Sequence, residues 1–260
     1  MRYRIVDVFS DRPLAGNALC VVLDDCPDAV MQSLARETNL SETTYPVVTG
    51  PGAYRMRIFT PSAELPFAGH PSIGTAWALG PGRWEQTTKG AVVAVTSDSD
   101  GAVMGQPDPV LEEVTVDRLA DALGVAGVDC AYVASVGGNR FLLAPTASRL
   151  AEARPDHAAL AGLSLVQSVS GIAAVARITD RELHVRVFVP SAGIPEDPGT
   201  GGVAGAIGVL ARRRWGTDTD VTIRQGAEVG RPCHIQVHAE LGSVQVGGRV
   251  AACAEGRFEL

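Results

Sequence analysis

Glu64-Leu65-Pro66-Phe67-Ala68-Gly69-His70-Pro71-Ser72-Ile73-Gly74-Thr75-Ala76 is the stretch that decides the fold, because its approach is written twice in the chain. Arg57-Ile58-Phe59-Thr60-Pro61-Ser62-Ala63-Glu64-Leu65-Pro66 returns 129 residues later as Arg186-Val187-Phe188-Val189-Pro190-Ser191-Ala192-Gly193-Ile194-Pro195. Six of the ten positions are identical, and Ile/Val and Leu/Ile conserve shape. Each copy reads as a β-type run that a proline breaks, followed by a run of small residues, Ala68 to Ala78 and Gly199 to Leu210. Segments so poor in bulk are expected to be closely packed helices. One long repeat in two copies excludes a solenoid and implies two homologous lobes. A ligand is then expected where the two strand-turn-helix corners meet, facing the helix N-termini.

Working outward, the bulk properties narrow the function. The 260 residues suffice for two lobes with a core each. The formal net charge of −7, without a basic stripe, makes nucleic acid and anionic membrane poor partners. Apolar runs stop short of spanning length, and Met1-Arg2-Tyr3-Arg4-Ile5-Val6 starts a strand without a signal-peptide core, so a cytoplasmic location is expected. Cys20, Cys26, Cys130, Cys233 and Cys253 form no CxxC pair and read as reduced thiols. His234 and His238 are four apart in a strand-like run without a third ligand, so no metal is expected.

In chain order, strands are expected at Arg4–Phe9, Ala18–Leu23, up to Val48, and Tyr54–Phe59, with a helix that Asp28 caps. Ala91–Thr96 and Gly101–Gln106 read as a hairpin, and Gln106-Pro107-Asp108-Pro109 as the linker. Residues 1–109 then form an N-terminal lobe, to which the final strand of the chain is free to return, and 110–260 a C-terminal lobe. Pro155-Asp156 opens a second-lobe helix 128 residues after Pro27-Asp28, extending the repeat. Strands outnumber helices, which gives an α+β class with a curled mixed sheet around one central helix in each lobe.

Two residues stand out chemically. Glu42, among Ser41, Thr43 and Thr44 at the mouth of a strand, is either a turn residue or an acid/base. The second lobe offers Ser170 and Gly171 at the matching place, so one acid without a mirror partner implies single-site proton transfer. His70 precedes the small-residue helix, where it either bonds local backbone or faces substrate. At the offset of 129, Ala68 falls on Asp197 and Gly69 on Pro198. The N–H groups of Thr200, Gly201 and Gly202 at the second helix start suit a carboxylate. Gly199-Thr200-Gly201-Gly202 fits neither a dinucleotide fingerprint nor a Walker loop, so no cofactor is expected.

Five blocks resemble the signature of the PhzF family of phenazine-biosynthesis-like isomerases. They are Asp7-Val8-Phe9-Ser10-Asp11-Arg12-Pro13-Leu14-Ala15-Gly16-Asn17, Asn39-Leu40-Ser41-Glu42-Thr43, Glu64 to Pro71, Glu196-Asp197-Pro198-Gly199-Thr200-Gly201 and Gln225 to Pro232. The resemblance implies a diaminopimelate epimerase-like fold with two pseudo-symmetric lobes. It implies Glu42 as acid/base, His70 and Asp197 as the residues that hold and polarise substrate, and Asn17, Ser41 and Gly69 as further lining. It also implies a homodimer. The related epimerases carry a cysteine at each helix start, whereas this chain has Ala68 and a residue near Asp197, which disfavours thiol racemisation. The family usually continues Thr-Gly-Ser where this chain has Thr200-Gly201-Gly202. The expected function is a cofactor-independent isomerase that shifts a double bond on a small carboxylate-bearing metabolite. The alternatives are an amino-acid epimerase or racemase, and a binding protein without turnover.

Overall fold

The computed structural model describes residues 1–128, 130–190 and 193–260; Ser191 and Ala192, part of the second copy of the repeat, lie outside the described residues. The chain divides into two compact units, Met1–Gly105 with Val246–Leu260, and Gln106–Gln245.

The first unit contains β1 (Arg2–Val8), β2 (Asn17–Val22), α1 (Asp28–Thr38), β3 (Glu42–Gly50), β4 (Ala53–Phe59), β5 (Glu64–Leu65), α2 (Gly69–Leu79), β6 (Gly82–Thr87), β7 (Val92–Ser97) and β8 (Gly101–Gly105). Strands β2 and β3 are parallel, as the α1 crossover requires, and so are β4 and β6, joined through α2. The remaining neighbours, β1–β2, β3–β4, β6–β7 and β7–β8, are antiparallel. Helix α2 packs against β1, β2, β3, β7 and β8. Its composition follows from that enclosure. A Cβ on Gly74 would stand 2.7 Å from both Leu19 and Val8, so the strands leave no room for bulk.

The second unit contains β9 (Val110–Val114), α3 (Leu119–Leu123), β10 (Ala131–Val136), β11 (Asn139–Thr146), α4 (His157–Gln167), β12 (Gly171–Arg177), β13 (Glu182–Val189), β14 (Ile194–Asp197), α5 (Gly201–Trp215), β15 (Asp220–Gln225) and β16 (Cys233–His238). Its parallel pairs are β11–β12 and β13–β15, in the same places of the order as in the first unit. Helix α5 packs against β9, β10, β12 and β16. Each unit is therefore sheet-rich α+β with a mixed sheet.

Several expectations need correction. The first unit ends at Gly105, not 109, and the second at Gln245, while the return of the final strand to the first unit, left open by the sequence, is met by Val246–Leu260. The physical reason is strand pairing. The chain's last strand, β17 (Gln245–Arg257), runs antiparallel to β1, as β9 runs antiparallel to β10. Asp28 is not the α1 cap: Pro27 holds that place without a side-chain bond, and Asp28 ion-pairs with Arg57 at 2.9 Å. Asp156 does cap α4, accepting from the N–H groups of Ala158 and Ala159. Strands β6 and β9 were not expected, because largely exposed Gly82–Thr87 and Val110–Val114 show no clean alternation.

The repeat also changes step at the corner. The left-handed C-caps Asn39 and Ser168 lie 129 apart, but α2 and α5 start at Gly69 and Gly201, 132 apart. Three extra residues sit in the second turn. Arg57 makes a two-pronged bond to Glu64 and Arg186 makes the same bond to Glu196, which fixes the new register. Ala68 thus corresponds to Thr200, not to Asp197, and His70 to Gly202. Among the described residues no helix is long and apolar enough to cross a membrane.

Candidate active site

In the first unit three buried polar residues come together from the starts of three elements. Asn17 opens β2, Glu42 opens β3, and His70 is the second residue of α2. The parallel pairing sets Glu42 opposite Leu19, two residues beyond Asn17. The left-handed turn at Asn39, whose N–H bonds Ala35 O, stops α1 so that Leu40 and Ser41 deliver Glu42 to the strand start. Glu42 is 7% exposed, His70 4% and Asn17 0%, so the carboxylate is largely stripped of water.

The ring of His70 links the other two. Asn17 Nδ2 lies 3.2 Å from His70 Nδ1, and His70 Nε2 lies 3.0 Å from Glu42 Oε2. An amide nitrogen donates, so Nδ1 accepts and a neutral ring carries its proton on Nε2, toward the carboxylate. The Nε2–Oε2 approach is close but out of line for a hydrogen bond. The helix start is fixed from below. Ser72 Oγ donates to Ala68 O and accepts from Gln86, whose carbonyl accepts from buried Tyr54. Thr44 and Thr75 pair their hydroxyls at 2.8 Å and tie α2 to β3. Ser41 is half-buried in the bend before Glu42, and Gly69 is the first residue of α2.

In the second unit Asp197 ends β14 at 8% exposure, and Thr200 Oγ1 donates to its Oδ2 at 2.5 Å. Gln225, the last residue of β15, completes this frame: its amide donates to Asp197 O at 2.7 Å and Thr200 Oγ1 at 2.9 Å. Its carbonyl accepts the Thr200 N–H at 3.2 Å. That N–H is therefore committed internally and is not one of the anion-binding donors expected at Thr200, Gly201 and Gly202. Gly201 and Gly202 begin α5.

Gln225 was missed as a site residue, although it heads the Gln225-Gly226 block of the sequence. Its neighbour Gly226 has φ +81°, and a Cβ there would stand 2.4 Å from Pro198 O and from Arg231 O. Only glycine lets that turn lie against the Asp197–Thr200 corner. The place of Glu42 is taken by Gly171, where a Cβ would stand 3.0 Å from the Phe141 ring, so the second unit has no room for a second acid there.

None of the five cysteines forms a disulfide, and none stands at the helix starts Ala68 and Thr200. Burial pushes the Cys20 thiol up to about 12.

Comparisons with known proteins place the chain as a whole. The chain is 37% identical, over 287 aligned positions, to the trans-2,3-dihydro-3-hydroxyanthranilate isomerase of Pseudomonas aeruginosa, covering 100% of this chain and 99% of that protein. A Bacillus anthracis phenazine biosynthesis protein of the PhzF family superposes with a TM-score of 0.86 at 20% identity, covering 100% and 99% of the two chains. A probable proline racemase from Agrobacterium radiobacter shares the fold at a TM-score of 0.67 and 13% identity, covering 100% and 93%. The PhzC-PhzF family model, described as phenazine biosynthesis-like protein, matches residues 6–256. By sequence over nearly its whole length and by fold, this chain belongs to the PhzC-PhzF family of phenazine biosynthesis-like proteins.

Proposed function

We propose that this chain is an isomerase that moves a proton, and with it a double bond, on a small carboxylate-bearing ring such as the dihydro-hydroxyanthranilate of its Pseudomonas relative. The observation that carries the proposal is the buried Asn17–His70–Glu42 cluster. Glu42 takes a proton from one carbon of the substrate. The electron pair left behind shifts the double bond, and the same carboxyl returns the proton to the far carbon. Atoms balance without an oxidant or a second substrate.

His70, held in the Nε2–H form by Asn17, offers that proton to the substrate's polar group or to Glu42 as charge moves. In this reading Asp197, stiffened by Thr200 and Gln225, holds the substrate. Gly171 in the place of a second acid favours one base working on one face over a two-base racemase. We further take the two units to be the pseudo-symmetric lobes of a diaminopimelate epimerase-like fold, and the working form to be a homodimer that needs neither metal nor nucleotide.

The test is incubation with trans-2,3-dihydro-3-hydroxyanthranilate, followed by absorbance and mass. A product of unchanged mass and altered spectrum is expected, and Glu42→Gln is expected to bind without converting. Saturable binding with no conversion by the wild type would leave a binding protein instead. A substrate subject to the same proton shift but bearing another ring would sharpen the substrate and keep the mechanism.

A further inference from the structure

Three buried polar side chains of the first unit stand where the second unit is apolar. Tyr54 on β4 and Gln86 on β6 are register partners, and Ser72 lies on α2. The corresponding register partners in the second unit, on β13 and β15, are Leu183 and Ile223. With α2 and α5 starting 132 residues apart, the match of Ser72 is Ala204. None of the six is more than 1% exposed. The apolar version therefore packs, and burying two hydroxyls and an amide in its place adds a desolvation cost that the fold itself does not require.

The three make a chain of donors that runs one way. Tyr54 Oη donates to Gln86 Oε1 at 2.7 Å, Gln86 Nε2 to Ser72 Oγ at 2.8 Å, and Ser72 Oγ to Ala68 O at 2.9 Å. Ser72 has one proton to give, so the direction is fixed: the reverse amide orientation would ask it to donate twice. Burial pushes the Tyr54 hydroxyl above its ordinary pKa, so it stays protonated and donates. The chain ends on the carbonyl of one particular peptide. The other end of that peptide is the N–H of Gly69, the first residue of α2, which has no helical carbonyl four residues back to take it. Bonds in series polarise one another, and a donor on a peptide C=O draws electron density from its N–H. The next residue is His70, in contact with Glu42, whose buried Oε2 makes no hydrogen bond among the described residues. In the second unit the matching carbonyl, Thr200 O, takes the Val203 N–H at 3.4 Å, and Ala204 brings no hydroxyl to it.

We propose that Tyr54, Gln86 and Ser72 are positioning residues for the proton shift: they polarise the Ala68–Gly69 peptide, so that the Gly69 N–H holds the negative charge developing on the substrate more strongly than the resting substrate. This rests on the isomerase reading of the same corner. When Glu42 takes its proton, an electron pair is left on the substrate, and a fixed donor in a site stripped of water is worth most at that moment. An interaction made mainly in the transition state lowers kcat when it is lost and leaves KM in place.

The test separates this role from plain support of the core. Tyr54→Phe removes one hydroxyl and leaves Gln86 Oε1 buried without its donor, so melting temperature and kcat are both expected to fall. The triple variant Tyr54→Phe, Gln86→Met, Ser72→Ala removes every polar group of the chain and is expected to regain the lost stability. Its kcat on trans-2,3-dihydro-3-hydroxyanthranilate is expected to stay about tenfold low with KM within about twofold, short of the roughly 10²–10³ for losing an oxyanion donor outright. A triple variant whose kcat returns with its stability overturns the proposal, since the three residues would then serve the core alone. The second readout needs no turnover. The amide proton resonance of Gly69, followed in isotope-labelled protein, is expected to move upfield in Tyr54→Phe as its N–H loses polarisation. An unmoved resonance overturns the proposal whether or not the triple variant folds. Absence of conversion by the wild type would sink the isomerase reading by itself, and the Gly69 resonance would still decide whether the chain of donors acts on that peptide.

Discussion

The two strand-turn-helix corners of this chain share a backbone plan and carry different chemistry. In the first unit the start of β3 holds Glu42 and the start of α2 holds His70. In the second unit the same positions are Gly171 and Gly202. There the polar groups have moved to Asp197, Thr200 and Gln225, which bond mainly one another. The two corners thus share a strand-pairing plan and differ in side chains: one holds Glu42 and His70, the proposed proton carriers, the other a braced carboxylate. The division runs the opposite way in the supporting ion pairs. Arg186–Glu196 has side chains 8% and 6% exposed, whereas Arg57–Glu64 has 32% and 17%.

The largest effect that would break this comparison is at Glu42. Glu42→Gln keeps shape but cannot carry the proton, so turnover is expected to fall by about 10²–10⁴ with the fold intact. A near-normal kcat measured on the dihydro-hydroxyanthranilate would mean the first corner is not the proton-transfer corner. Asp197→Asn, by contrast, is expected to raise KM as well as lower kcat, since its proposed work is holding.

Next come the ion pairs, read by denaturant unfolding. Arg186→Met leaves Glu196 buried and unpaired and also strips Leu150 O and Ala153 O of their donor, a loss of about 3–5 kcal/mol. Arg57→Met, in its more open setting, is expected to cost about 1 kcal/mol or less. Equal losses would show that neither burial nor the two carbonyl bonds alter the worth of the pair.

Packing gives a smaller effect. Gly74→Val forces a branched side chain against Leu19 and Val8 and is expected to destabilise by roughly 1–3 kcal/mol. A melting temperature unchanged from the wild type would mean α2 can shift within its strands.

The smallest effect is in pH. Hydrogen bonds from Arg57 hold the Glu64 carboxyl down to about 2, against an ordinary 4.5, with Lys89 adding to the pull against the opposing effect of burial. A carboxyl depressed on folding stabilises above its unfolded pKa, and that contribution is lost as pH falls through the folded one. The stability gap between wild type and Glu64→Gln is therefore expected to be constant above about pH 5 and to shrink between about 4.5 and 2. A gap that grows on acidification would reverse the sign assigned to this pair.

Much of this was legible in residues 57–66 and 186–195 alone. Identical Arg, Phe and Pro at fixed spacing, each run leading to a segment without bulk, specify two like corners with tight helices, and α+β follows from the strand content. Glu42 was also legible, as a lone acid set against Ser170 and Gly171 at the offset of 129, and His70 as a histidine at the start of a small-residue helix. These features are local. They depend on proline, glycine and side-chain volume at the position itself.

What only the tertiary structure decided is who pairs with whom. The three-residue slip between the copies became visible only when Glu196 was found on Arg186, because a turn tolerates insertions that leave no trace in the flanking pattern. The Thr200 N–H looked available until Gln225, 25 residues on, was seen to take it. The last strand could be assigned only by its register against β1, from Arg2 opposite Arg257 to Val8 opposite Val250. A strand's sequence fixes which of its faces is apolar, but its neighbour is chosen by whichever edge the rest of the chain leaves unpaired, and that choice is made in three dimensions.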